Sequence, residues 1–170
     1  ASFSLIGRPT IQFANPASGP TSPAEPSSSA TVTEITVIGS NFGFQRSDVT
    51  RVRIGDRVSA NVTFLSSSSL LVGVPPGTGS TNPILVTTRG GLDSSGTASF
   101  RYLPPQPLVL APAYALTGDV VADFEIVGSN FGNGQGDVTD VSVGGNPCAS
   151  WEWVSPTLLR CLRVNGSAWS

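Results

Sequence analysis

The sequence predicts an all-β protein built from small sandwich domains, and three observations lead there. Short runs of Val, Ile, Leu and Phe are separated by Ser, Thr, Gly and Pro, with 19 Gly and 14 Pro in 170 residues, as in a chain of short strands joined by tight turns. Charged residues make up only 12 %, and no stretch has the apolar length that a membrane-spanning helix needs, so no direct membrane span lies in this window. Finally, one phrase is written twice: "VIGSNFG" at 37–43 and "IVGSNFG" at 126–132.

The repetition extends beyond the phrase. "ITVIGSNFG" at 35–43 matches "FEIVGSNFG" at 124–132, and "DVTRVRIG" at 48–55 matches "DVTDVSVG" at 137–144, both at an offset of 89. A constant offset through two separated blocks is the mark of a tandem duplication, and the period suits one small sandwich per repeat rather than a solenoid coil. "ASFRYLPPQPLVLAPA" at 98–113 closes one repeat and opens the next, and "ASFSLIGRPTIQFANPA" at 1–17 has the same shape. Residues 1–7 are therefore expected to be the last strand of a preceding domain, 8–104 a complete sandwich, and 105–170 a second one. That second sandwich runs out about 21 residues short of the first, as a window onto a longer array would.

Within the complete repeat, 10–13 opens the domain and a Pro/Ser/Gly-rich loop follows at 15–29. A strand at 32–38 carries Ile35 and Val37 on one face and runs into the Gly39–Gly43 turn. Alternation then places Thr50, Val52 and Ile54 inward, followed by Val58, Ala60, Val62 and Phe64. Strands at 70–74, 84–88 and 98–103 bring the count to about seven, the number a two-sheet sandwich requires, and no helix is expected. In the turn, Gly39 and Gly43 permit positive φ, Asn41 tolerates the left-handed region, and Phe42 plugs the end of the sandwich.

Composition removes several kinds of chemistry. The nine basic residues are all Arg, the formal net charge is −2, and His is absent. Without His there is no Ser-His-Asp triad and the commonest metal ligand is missing. Arg51 and Arg53 alternate onto the solvent face of a strand, which reads as a solvated face rather than a track for phosphates, so no nucleic-acid partner is expected. "GNGQGD" at 132–137 has neither the repeated nonapeptide of a calcium roll nor the Gly-Lys-Ser/Thr of a phosphate loop, and "GFQRSD" stands in its place in the first copy. It is read as a flexible turn. Asp119, Asp123 and Glu125 are close in sequence but have no basic partner to tune them. No catalytic residue, metal site or cofactor is expected.

Taken together, the Ile/Val-x-Gly-Ser-Asn-Phe-Gly turn, the "VxxVxVGG" strand after it and the closing "F-x-Y" strand ahead of Pro-rich spacing resemble the IPT/TIG domain, an immunoglobulin-like β-sandwich. The resemblance covers nearly the whole chain. It implies tandem immunoglobulin-like sandwiches of the kind found in receptor ectodomains, large surface proteins, some starch-acting enzymes and Rel-type transcription factors.

The same resemblance implies a disulfide. Cys148 and Cys161 fall where receptor-type members carry a pair, and Ser59 and Gly73 are taken to occupy those places in the first copy. By composition alone, two free buried thiols or half of a metal site stay open as alternatives. A bridge implies an oxidising compartment. Two sequons, Asn61-Val62-Thr63 and Asn165-Gly166-Ser167, mark candidate N-glycosylation sites. Asn61 is placed on the outward face, opposite the inward run of Val58 to Phe64.

The expected function is a non-enzymatic structural or adhesive segment of an extracellular or cell-surface glycoprotein, a stiff spacer or filament-forming array. Its expected partners are other domains of the same long chain and other surface proteins. A ligand-binding part of a plexin- or Met-like receptor ectodomain is the alternative, but Trp151 and Trp153 match the inward Val62 and Phe64 and so point to core rather than interface. The run Leu103-Pro104-Pro105-Gln106-Pro107 favours the spacer, since it leaves almost no flexible linker.

Overall fold

A computed structural model describes residues 7–22, 34–113 and 121–165. The described residues are all-β apart from two single-turn 3₁₀ segments, and the chain divides into two compact units between Leu103 and Pro104. Residues 1–6 of the strand of a preceding domain expected at 1–7 lie outside the described residues, as does Asp119.

Unit 1 contains β1 (Thr10–Asn15), β2 (Ser18–Gly19), β3 (Glu34–Ser40), β4 (Val49–Ile54), β5 (Arg57–Val58), β6 (Val62–Ser66), β7 (Ser69–Gly73), β8 (Asn82–Thr88) and β9 (Ser99–Tyr102). They form two sheets, ordered β1-β3-β7-β6 and β2-β9-β8-β4-β5. Period-two alternation along β3 and β7 turns one face of their sheet inward. Ile35 and Val37 on β3 and Leu70 and Val72 on β7 are fully buried in one core cluster with Val52, Ile54, Val86 and Phe100 of the other sheet. At roughly 25 cal/mol per Å², each such side chain contributes on the order of 2 kcal/mol.

Three details differ from the sequence expectation, each for a local backbone reason. A register shift between Val49 and Arg51 turns Thr50 outward and buries Val49. The expected single strand from Val58 to Phe64 is two strands in different sheets. β5 pairs with β4 and β6 pairs with β7, and the crossing at 59–61 reverses the parity. Val58 is consequently 55 % exposed and Ala60 is exposed, while Ser59 is buried. Lastly, the loop at 15–29 contains β2, which pairs in parallel with β9.

Unit 2 contains β10 (Gln106–Ala111), β11 (Val121–Ser129), β12 (Ser142–Val143), β13 (Asn146–Ser155) and β14 (Leu158–Asn165), in the order β10-β11-β14-β13-β12. It repeats unit 1 in register: Ser129 sits opposite Gln106 as Ser40 sits opposite Thr10, and Phe124 opposite Cys161 as Ile35 opposite Val72. Its core gathers Phe124, Ile126, Phe131, Val141, Val143, Leu159, Cys161 and Val164, with Trp151 and Trp153 packed against it. β13 spans in one strand what β5 and β6 cover in two.

Candidate functional site

The repeated phrase folds into the same corner in both units, and the corner begins with a close approach of two backbones. A Cβ on Gly39 would run into the carbonyl oxygen of Thr10 on β1 and into the Phe42 ring. One on Gly128 would meet the carbonyl of Gln106 and the Phe131 ring in the same way. Gly39 is therefore required for space, not for the positive φ expected of it. Asn41 and Asn130 do adopt left-handed backbone, with φ of 61° and 60°. The phenyl rings that follow, Phe42 and Phe131, are buried and close the end of each core.

What the two asparagines do with their side chains was not legible in the sequence. The Asn41 amide Nδ2 donates to the carbonyl of Arg8 at 3.1 Å, and the Asn130 Nδ2 donates to the carbonyl of Pro104 at 3.3 Å. Arg8 and Pro104 each lie two residues before the first strand of their unit. Each corner thus holds the segment that enters its own unit.

A second fixed element follows. Gly43 and Gly132 have φ of 102° and 82°. The "GFQRSD" and "GNGQGD" stretches are not flexible turns: each makes a 3₁₀ turn, at Arg46–Asp48 and Gln135–Asp137. The Asp48 carboxylate accepts from the backbone N–H groups of Phe44 and Gln45 at 2.9 and 3.2 Å, and Asp137 accepts from Asn133 at 2.7 Å. One long side chain then ties each turn to the neighbouring strand. Arg46 Nε donates to the Val62 carbonyl at 2.9 Å, and Gln135 Nε2 donates to that of Trp151 at 3.0 Å. The usable sequence signal was the Asp that opens the second repeated block in both copies.

The two cysteines are bonded to each other, with Cα atoms 5.5 Å apart, and link β13 to β14. The register makes Val72 the unit 1 counterpart of Cys161, which corrects the assignment of Gly73. Ser59, in the place of Cys148, makes a polar version of the same cross-link. Its hydroxyl lies 2.7 Å from the Gly73 carbonyl and 2.9 Å from that of Asn61, so one hydrogen serves both acceptors.

Asn61 and Thr63 are exposed on the strand edge at β6. Asn165 ends β14 opposite Val121, and the rest of its sequon lies outside the described residues. Glu125 does have a basic partner, contrary to expectation: Arg160 Nε lies 3.1 Å from its carboxylate, and Arg160 also reaches Glu152 at 3.7 Å. All three side chains are about half exposed, so the pairs contribute ~0.5 kcal/mol each at most. Among the described residues no group of three His, Cys, Asp or Glu is placed to hold a metal ion, and no helix is long and apolar enough to cross a membrane.

Two facing sheets, a shared apolar core and a strand that passes from one sheet to the other define an immunoglobulin-like β-sandwich. The family model of the IPT/TIG domain matches residues 9–102, and the chain belongs to the IPT/TIG family. No curated protein matches it. Among solved structures it is similar to a gamma-CGTase from alkalophilic Bacillus clarkii, at 24 % identity and a TM-score of 0.44, over 60 % of this chain and 13 % of that one. It is also similar to the surface glycan-binding protein PbSGBP-B of Prevotella bryantii, at 14 % identity and a TM-score of 0.49, over 94 % of this chain and 37 % of that one. A further likeness is to SGBP-B from a xyloglucan utilization locus of Bacteroides uniformis, at 13 % identity and a TM-score of 0.35, over 94 % and 42 %. The chain spans less than half the length of each.

Proposed function

We propose that this chain is a non-catalytic structural segment of an extracellular or cell-surface protein, in which successive sandwiches act as a spacer. One observation carries the proposal: the last residue of unit 1 and the first residue of unit 2, each hydrogen-bonded within its own unit, are neighbours in the chain. The Leu103 N–H donates to the Gly19 carbonyl of unit 1 at 2.8 Å, and the carbonyl of the following residue, Pro104, accepts from Asn130 of unit 2. Pro105 follows, with its φ fixed by its ring. A disulfide supports the extracellular assignment, since such bridges persist in oxidising compartments. The partners would be further domains of the same polypeptide and other surface proteins, with Asn61 and Asn165 as candidate carriers of N-linked glycan. The spacer is tested by spin-labelling Ser67→Cys in unit 1 and Ala149→Cys in unit 2, both exposed positions, and measuring the distance between the labels by pulsed electron resonance. A single narrow distribution is expected; a broad one would remove the spacer.

A further inference from the structure

The two units differ on the outward face of the sheet that carries the repeated corner. In unit 2 the outward row across β11, β14 and β13 is Glu125, Arg160 and Glu152, an ion-paired row that water solvates well. The equivalent row of unit 1 is Thr36, Leu71 and Thr63, without a charge. The adjoining row adds Ile38, and beside it Phe13, 53 % exposed. Unit 1 thus presents an uncharged, partly apolar row where its duplicate presents ions, with the Glu34 carboxylate at the far end of the face, opposite Gly73.

Unit 1 also carries the sequon Asn61-Val62-Thr63 on that face. Asn61 pairs with Gly73, whose amide donates to the Asn61 carbonyl at 2.7 Å, and by period two it points the same way as Thr63 and Leu71. Its equivalent in unit 2, at the offset of 89, is Ser150. The Asn61 side chain is exposed and its amide donates to no described residue. Gly73 leaves the strand position beside it empty: a Cβ there would lie 3.0 Å from the Asn61 Cβ. Leu71 is diagonal to Asn61 on the same face, about 7–8 Å away as diagonal neighbours are.

We infer that Asn61 is N-glycosylated and that the first sugars of the glycan lie across this face, over Leu71 toward Ile38 and Phe13. In the transfer, the Asn61 Nδ2 attacks the anomeric carbon of a lipid-diphosphate-linked oligosaccharide. The C–N bond forms as the anomeric C–O bond breaks, the lipid diphosphate leaves with the electron pair, and one Nδ2 proton is lost to a base, leaving a secondary amide. The apolar faces of the pyranose rings and the N-acetyl methyl then cover Leu71, while the ring hydroxyls meet Thr36, Thr63 and water. Ion pairs take this place in unit 2, where Ser150 at the equivalent position forms no sequon. The inference rests on the extracellular assignment above.

The test uses the 170-residue chain secreted from a eukaryotic host. Peptide mass spectrometry is expected to find Asn61 modified. Hydroxyl-radical footprinting is expected to show Phe13 and Leu71 oxidised about twofold or more slowly than after enzymatic glycan removal, since a bulky surface glycan excludes solvent. Phe44, 67 % exposed but off the sheet, should not change. A Thr63→Ala chain, which never receives the sugar, should match the deglycosylated one. A secreted chain with its disulfide formed but Asn61 bare would overturn the inference and leave the extracellular assignment standing. Glycan at Asn61 with unchanged Phe13 and Leu71 would overturn the packing across the face. A chain retained in the cell with both thiols free would overturn the assignment and the inference with it.

Discussion

Asn130 reaches back 26 residues to hold the carbonyl of Pro104, and Asn41 does the same to Arg8 in the other unit. Two effects are combined in each asparagine: tolerance of left-handed backbone and a donor aimed at the incoming chain. Substitution separates them. Asn130→Gly keeps the conformation and loses the bond, so a loss of about 1 kcal/mol is expected in urea unfolding. Asn130→Ala adds the left-handed penalty, for a total of roughly 2–3 kcal/mol. An Asn130→Gly chain as stable as the unmodified one would show that the side-chain bond contributes nothing, and equal losses for the two variants would show that the left-handed backbone carries no penalty.

Gly39→Ala and Gly128→Ala place a methyl group against a backbone carbonyl that cannot rotate away. Losses of about 3 kcal/mol or more are expected, the scale of overpacking a rigid site. Gly136→Ala, where nothing lies within 4 Å, serves as the control and should stay within ~0.5 kcal/mol. Thermal unfolding of the three variants decides it.

The disulfide closes a span of 13 residues, and its reduction should destabilise unit 2 by about 3 kcal/mol while leaving unit 1 unchanged. Because Ser59 and Val72 hold the equivalent positions, the pair Ser59→Cys and Val72→Cys should oxidise to a second intradomain bridge. Peptide mapping without reductant checks both, and free thiols at 59 and 72 would contradict the register.

Tyr102 is buried, and its hydroxyl donates to the Pro75 carbonyl at 2.6 Å. Burial pushes its pKa up from 10.0 to about 12, against a smaller opposing pull from the Arg57 guanidinium. The native state therefore holds the phenol proton more tightly than the unfolded chain does. The resulting stability is complete below pH 10 and is lost as pH rises from 10 toward about 12. Chemical denaturation across that window should show unit 1 weakening, and Tyr102→Phe should abolish that slope while lowering stability by about 1 kcal/mol at neutral pH.

The fold was legible because its signals are local: strand alternation at Ile35 and Val37, Gly-rich turns, and a phrase repeated at a fixed offset. The misreadings cluster where a strand leaves its sheet. Val58 and Ala60 look inward by continued alternation, but the crossing at Ser59 reverses parity, and that crossing depends on pairing partners far away in sequence. The corner was recognised as structural, yet its tie to Pro104 spans 26 residues and joins a side chain to a carbonyl, which no residue type at Pro104 announces. Likewise, Arg160 beside Glu125 is a cross-strand neighbour that only the register reveals.

Asn130 fixes the segment that enters its own unit at Pro104, and backbone ¹⁵N relaxation of the 170-residue chain tests this central claim most directly. The heteronuclear NOE of the Leu103 and Gln106 amides and of the Asn130 side-chain NH₂ should equal that of the strand amides on either side, and should fall at Gln106 in Asn130→Gly. Low values at Leu103 and Gln106 in the unmodified chain, indifferent to that substitution, would contradict it.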